Sequence, residues 1–246
     1  MSTILAIETS TEIASAALLY DGLPSSSTLL VQSASGVQNH SQTLLPMVQT
    51  LLSQANLRLN ACDAIAFGVG PGSFTGVRTA CGVAQGLAFG LGLPVVPIHT
   101  LLAMAQACRL QTGAQEVLPI LDARMGEVYW AQYRFDGVWH IVVPPCLSTL
   151  AQVLPQSPIS PGGLQACGNG VPICVRAGLA APGRLANALP EIMPGAAQIA
   201  QLGKLAFDAG MGVSAEAAQP LYLRNNVAKT SAERALEAGA GAGARG

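Results

Sequence analysis

Few residues in this chain are spaced for chemistry. The carboxylates close enough to act together in the folded part are Glu8 with Glu12 and Asp122 with Glu127. Two such groups divide acid and base work only when their environments push their pKa values apart. Each pair ends an apolar run or sits in a turn, where hydrogen-bonded structural carboxylates are the simpler expectation. Ser10 and Thr11 have no nearby His–Asp pair, and no G-x-S-x-G elbow occurs. His40, His99 and His140 lack a second His or a carboxylate at i+3 or i+4, so no metal site is expected. The six cysteines contain no C-x-x-C pair and read as reduced thiols of a cytoplasmic protein. These residues define no catalytic constellation and call for no cofactor. They point to a binding or assembly protein.

The glycines are more informative. Gly70, Gly72 and Gly76 follow an apolar run and open a helical pattern. A dinucleotide fingerprint would set a pyrophosphate on that helix N-terminus. No acidic residue follows about 20 positions later to hold a ribose, and no Gly-Lys-Ser/Thr makes a P-loop. A tight strand-to-helix turn, capped by Ser73 or Thr75, is the better expectation. Gly82, Gly86 and Gly90 then recur every fourth residue, interleaved with Ala80, Ala84 and Ala88. A helix face so poor in side chains lets another backbone come close. Close packing within the domain and helix-on-helix contact with another subunit would both use it.

The elements that position these residues follow from composition and period. The chain has 246 residues and 25.1 kDa, enough for one large domain or two lobes. Half the residues are hydrophobic, 10% are charged and the net charge is -1. That excludes an intrinsically disordered chain. It also disfavours a stand-alone nucleic-acid binder, because phosphates need clustered cations. Between Gly22 and Cys108 the only charges are Arg58, Asp63 and Arg78. Pro94, Pro97 and four glycines interrupt the uncharged stretch Thr79 to Ile98, which argues against a membrane span. A surface covered by a partner protein explains the scarcity of charge better.

Ile4 to Ile7, Ile13 to Tyr20 and Leu29 to Gln32 predict a β-meander, with a hairpin turn at Asp21-Gly22. Leu44, Leu45, Val48, Leu51, Leu52 and Ala55 recur at helical spacing from Ser41, capped by Ser41 or Thr43, with Asn56 as the stop. Strands are expected at 64–69, 94–98, 117–121 and 127–135. Further helices are expected at 77–91, 100–110, 147–154 and 196–209. Residues 155–195, rich in Pro and Gly, carry little signal. Residues 230–246, mostly Ala and Gly, are expected to be disordered. Strands followed by helices, repeated in two halves, predict an α/β fold with two lobes.

Four runs stand in order: Ile4-Leu-Ala-Ile-Glu-Thr-Ser-Thr11, Gly70-Pro-Gly-Ser-Phe-Thr-Gly-Val-Arg78, Asp122-Ala-Arg-Met-Gly-Glu-Val-Tyr-Trp130 and Tyr222-Leu-Arg-Asn-Asn226. Together they resemble the TsaB (YeaZ) family of bacterial tRNA threonylcarbamoyladenosine biosynthesis proteins, over roughly residues 1–229. The resemblance implies a two-lobed ASKHA fold, as in actin and sugar kinases, with mixed sheets flanked by helices. It implies an N-terminal lobe over 1–103, a C-terminal lobe over 104–229 and a disordered tail. It implies a non-catalytic paralogue that binds and stabilises the transferase TsaD, is joined by the ATPase TsaE, forms a homodimer when alone and meets tRNA only through the complex. The resemblance further implies that the modified base is the adenosine next to the anticodon of tRNAs reading ANN codons, and that TsaC supplies threonylcarbamoyl-AMP; the alternative reading is an ASKHA-type nucleotide-binding hydrolase or a glycopeptidase-like hydrolase.

The helices at 41–55 and 75–91 would build a four-helix bundle with the partner, placing His40, Leu44, Met47, Val48, Leu51, Thr75, Arg78, Cys81, Gly82, Gln85 and Gly86 at the interface. Glu8, Thr9, Ser10 and Asp122 would be vestiges of phosphate-binding turns. The second His of the TsaD H-x-x-x-H motif is absent after His99, the Asp-rich turn is replaced by Asp122-Ala123-Arg124-Met125-Gly126, and Glu8 stands where an ASKHA strand usually ends in Asp. Asn39 replaces the acidic residue that often precedes the histidine at position 40.

Overall fold

The structure, a computed structural model, describes residues 2–224 apart from 24–25, 37–39, 157–162, 179–184 and 186. Asn39 and residues 225–246, with the expected disordered tail, lie outside the described residues.

The first sheet has the order β3-β2-β1-β4-β5. Its strands are β1 (Ile4–Glu8), β2 (Ile13–Leu23), β3 (Ser26–Ser35), β4 (Ala64–Gly70) and β5 (Val95–His99). β1 pairs antiparallel with β2 and parallel with β4, in register Ile4 with Leu19 and with Ala64. β1 and β4 are buried along their whole length, which explains their apolar sequence up to the buried Glu8 that ends β1. Side chains alternate between two cores. Leu5, Ile7, Ile65, Phe67 and Val69 face α1 (His40–Gln54) and α2 (Phe74–Leu91). Ile4, Ala6, Ala64, Ala66, Val96 and Ile98 face α6 (Ala196–Asp208). At Gly203 a Cβ would lie 2.6 Å from that of Ala66, so only glycine lets α6 settle on β4.

The second sheet has the order β8-β7-β6-β9. It holds β6 (Glu116–Asp122), β7 (Glu127–Phe135), β8 (Trp139–Thr149) and β9 (Gln165–Cys167). One face packs on α3 (Thr100–Thr112) through Leu101, Met104 and Cys108. The other packs on α4 (Leu150–Gln156) and α5 (Val171–Arg176) through Val153, Val171 and Cys174. α3 follows β5 directly and packs on β6, so it joins the two lobes, and residues 103 and 104 fall inside it.

Several expectations need correction. Asp21-Gly22 is no hairpin turn: β2 runs on to Leu23, with the β3 register shifting between Asp21 and Leu23. Thr43 does not cap α1. Its hydroxyl donates to the His40 carbonyl, inside the first turn. Pro46 sits in the helix interior. β8 gave no sequence signal because Pro144 and Pro145 interrupt it, which an edge strand tolerates. It also takes Leu147, Ser148 and Thr149 from the expected helix at 147–154. β9 and α5 occupy the stretch that carried little signal.

The charge-poor half owes its character to neutral polar cover as much as to burial. The exposed positions of α1 include Ser41, Gln42, Gln49, Thr50, Ser53 and Gln54. Among the described residues no helix is long and apolar enough to cross a membrane.

Candidate functional site: the cleft between the lobes and the face of α2

The Gly70–Gly76 turn docks on the end of β1. Ser73 N donates to the Ser10 carbonyl at 2.7 Å, and Thr9 Oγ1 donates to the Gly76 carbonyl at 2.7 Å. A Cβ at Gly72 would lie 2.4 Å from Ser10 O, and one at Gly76 1.9 Å from Thr9 O. Close backbone approach therefore dictates both glycines. Ser73 is the N-cap of α2, its Oγ accepting from Gly76 N at 3.4 Å.

Glu8 is fully buried beneath this turn. Its Oε1 accepts from Ser10 N at 2.5 Å and its Oε2 from Thr100 Oγ1 at 3.3 Å. Burial pushes the Glu8 carboxyl above its usual pKa, and the bonds from Ser10, Thr100 and Thr9 only partly oppose this.

Above the turn lies a cleft of about 430 Å³ between the lobes. Ser10, Thr11, Glu12, His40 and Phe74 line one side, and Asp122, Ala123, Arg124 and Asn169 the other. The Asp122 carboxylate is engaged within its own hairpin. Its Oδ1 accepts from Arg124 N at 2.7 Å, its Oδ2 pairs with the Arg124 guanidinium at 3.1 Å, and its N–H donates to Asn169 Oδ1 at 2.9 Å. Residues 218–224 cross the cleft as a strap. Leu221 N donates to Val69 O in the first lobe at 2.7 Å. Arg224 donates to Ala123 O at 3.0 Å and to Glu127 Oε2 at 2.5 Å in the second. Of the expected phosphate-turn residues, the fold brings Ser10 and Asp122 to one cleft and buries Glu8 and Thr9 below it.

The face of α2 is open. Ala80, Ala84 and Ala88 are fully buried against the first sheet, whereas Gly82, Gly86 and Gly90 have nothing within 4 Å of a Cβ position. Within this chain the glycine stripe packs on nothing described. Thr75, Arg78, Gly82 and Gly86 are exposed, and Met47 is half-buried. Leu44, Val48, Leu51 and Cys81, expected at the interface, belong to the chain's own core. Cys81 Sγ and Gln85 Nε2 both donate to Ala218 O, at 3.6 and 3.0 Å, and so hold the strap. His40 opens α1 at the cleft, with its Nδ1 buried and unpartnered among the described residues.

Sequence reasoning missed Phe74, Phe89, Leu45 and Tyr222, all exposed apolar or aromatic side chains. Phe74 was legible, because Phe74, Arg78, Gly82, Gly86 and Gly90 share one four-residue spacing. Tyr222 was legible as part of the Tyr222–Asn226 run but not as a neighbour of Arg78, since it comes from a strap with no period. Phe74 and Tyr222 flank Arg78. The Arg78 guanidinium carbon lies 3.5 Å from the Phe74 ring centroid and 5.3 Å from that of Tyr222, and Nε donates to the Tyr222 hydroxyl at 2.7 Å.

Two mixed sheets flanked by helices, divided by a cleft, make this a two-lobed ASKHA-type protein. Two Pseudomonas aeruginosa structures share the architecture. YeaZ superposes with a TM-score of 0.81 at 38% identity, and a protein described as similar to the peptidase YeaZ with 0.83 at 39%; each alignment covers 91% of this chain and 100% of the other. The family described as "TsaD: tRNA N6-adenosine threonylcarbamoyltransferase" matches residues 28–232. The tRNA threonylcarbamoyladenosine biosynthesis protein TsaB of Escherichia coli is 40% identical over 237 residues, 92% of this chain and 96% of its own length. The protein of the same name in Haemophilus influenzae is 51% identical over 130 residues, 53% of each chain. The chain belongs to this threonylcarbamoyltransferase-like family and, within it, to the TsaB proteins.

The fold family implies a nucleotide and a metal in the cleft, and the residues present do not fit them. Ser10 N and Ser73 N, two backbone donors at the turn, are engaged within the chain, and of the groups there the Ser10 hydroxyl is the one buried with no described partner. Glu8 is sealed from the cleft and held toward its uncharged form. Among the described residues no group of three or more His, Cys, Asp or Glu could hold a metal ion.

Proposed function

We propose that this chain is the non-catalytic subunit of the tRNA threonylcarbamoyladenosine complex, acting by binding TsaD through the exposed face of α2 and the adjoining surface of α1. The observation that carries this is the open glycine stripe. Among the described residues Gly82, Gly86 and Gly90 have nothing within 4 Å of a Cβ position, although glycine there weakens the helix. A second helix lying across them would gain close backbone contact that larger residues would forbid. The engagement of Ser10 N and Ser73 N within the chain supports the absence of catalysis by this subunit. In the same reading, the chain forms a homodimer through this face when alone. TsaE joins once TsaD is bound, tRNA is met only through the complex, and the work is cytoplasmic. Residues 1–103 and 104–229 serve as the two lobes, the first carrying the partner face.

Size-exclusion light scattering of the chain mixed with its cognate TsaD tests this. A one-to-one complex forming at the expense of the homodimer is expected. A homodimer indifferent to folded TsaD would overturn the proposal and turn attention to ATP binding by calorimetry.

A further inference from the structure

We infer that Phe74, Arg78 and Tyr222 form a clamp that receives an acidic side chain of the subunit docked on α2. This rests on the partner-binding role proposed above and extends the surface beyond the helices onto the strap.

Arg78 is the only charged residue of α2. It takes part in none of the five ion pairs among the described residues. Its one hydrogen bond there, from Nε to Tyr222 OH, leaves the other guanidinium donors without a described acceptor. The rings of Phe74 and Tyr222, 5.9 Å apart, hold the guanidinium in place. An arginine fixed this way is pre-organised for bidentate pairing with a carboxylate.

The clamp continues the glycine stripe at the spacing of Phe74, Arg78, Gly82 and Gly86, so a partner lying on the stripe reaches it. Phe74 and Tyr222 are 42% and 45% exposed, as side chains awaiting a cover would be. Tyr222 does not hang free. Leu221 on Val69, Gln85 on Ala218 and Arg224 on Glu127 hold the strap on both sides. A protein carboxylate fits better than a nucleic-acid phosphate. The nearby Arg124 and Arg224 are already paired with Asp122 and Glu127, so among the described residues no cluster of free cations lies beside the clamp to track a phosphate backbone.

The test measures the affinity of full-length variants for cognate TsaD, each variant checked for an unchanged circular dichroism spectrum and Tm. Arg78→Gln should weaken binding by about thirty-fold. Arg78→Lys should recover only part of this, lacking the planar fork. Tyr222→Ala should cost about tenfold, and wild-type affinity should fall more steeply with salt than that of Arg78→Gln.

If wild type does not bind TsaD, the clamp falls together with the proposed function. If Gly86→Leu abolishes binding while Arg78→Gln and Tyr222→Ala bind as wild type, the clamp alone is overturned. Tighter TsaD binding by the Glu233→Gln/Glu237→Gln double variant would assign Arg78 to the chain's own C-terminal acids and also overturn it. So would loss of tRNA binding by isolated Arg78→Gln with TsaD affinity intact.

Discussion

Glu8 is a carboxylate that the fold has taken out of water altogether. The carboxylate is packed onto the Gly68 backbone, where a Cβ would lie 1.8 Å from Oε2, and burial raises its pKa above the usual 4.5. An acid with a raised native pKa binds its proton more tightly when folded. Native stability from this group is therefore lost as pH climbs from the unfolded value through the folded one. Glu8→Gln keeps an oxygen for Ser10 N–H, and the Thr100 hydroxyl can turn to accept from the new amide. Chemical denaturation should find Glu8→Gln more stable than wild type at pH 8, with the gap closing below about pH 4.5. A wild type that gained stability relative to Glu8→Gln with rising pH would refute the neutral form. Glycines differ as sharply. Gly76→Ala should cost several kcal/mol by thermal unfolding, because the new Cβ would lie 1.9 Å from a backbone oxygen that cannot retreat. None of this was legible in the sequence, where Glu8 looked like a strand-end polar residue and Gly76 like part of a turn. What fixed their roles is contact across sixty residues of chain.

At the scale of the element, α2 carries two programmes on one helix. Its alanines pack inward and its glycines open outward, and that division was invisible while both were read as one small-residue face. The helical period was legible because apolar positions recur at 3.6 residues. The outward stripe was legible as a stripe, but its direction was not. The same limit explains Leu44, Val48 and Leu51: periodicity marks a buried face without saying whether this chain or another buries it. A prediction separates the two programmes. Gly86→Ala should stabilise the isolated chain by about 0.5–1 kcal/mol, since it meets nothing and favours helix. Gly86→Leu should also fold, while weakening TsaD binding beyond detection in the same light-scattering assay. If Gly86→Leu folds and still binds, the partner lies elsewhere.

Across the whole molecule the two lobes are tied at the cleft by the strap and joined through α3. Because Ser10 N and Ser73 N are engaged and Glu8 is sealed below the turn, millimolar MgATP should leave the Tm unchanged in a thermal-shift assay. A rise of several degrees would restore a ligand to the cleft. Arg224→Ala removes its three hydrogen bonds to the second lobe, to Ala123 O, Glu127 Oε2 and Met125 Sδ, and faster amide exchange in 123–127 and 221–223 should report it. The two-lobed α/β class was legible from the alternation of strands and helices. The docking of α6 on the first sheet was not, since nothing local in residues 196–208 names its target.

That return of α6 has a consequence for synthesis. The underside of the first sheet, with Ile4, Ala6, Ala64, Ala66, Val96 and Ile98, is complete once residue 98 has been added, yet its cover ends only at Asp208. At elongation rates of about 5–20 residues per second the ribosome needs on the order of 5–20 s to bridge that gap. During that interval a nascent chain carries a finished but uncovered apolar sheet, the kind of surface on which chaperones act.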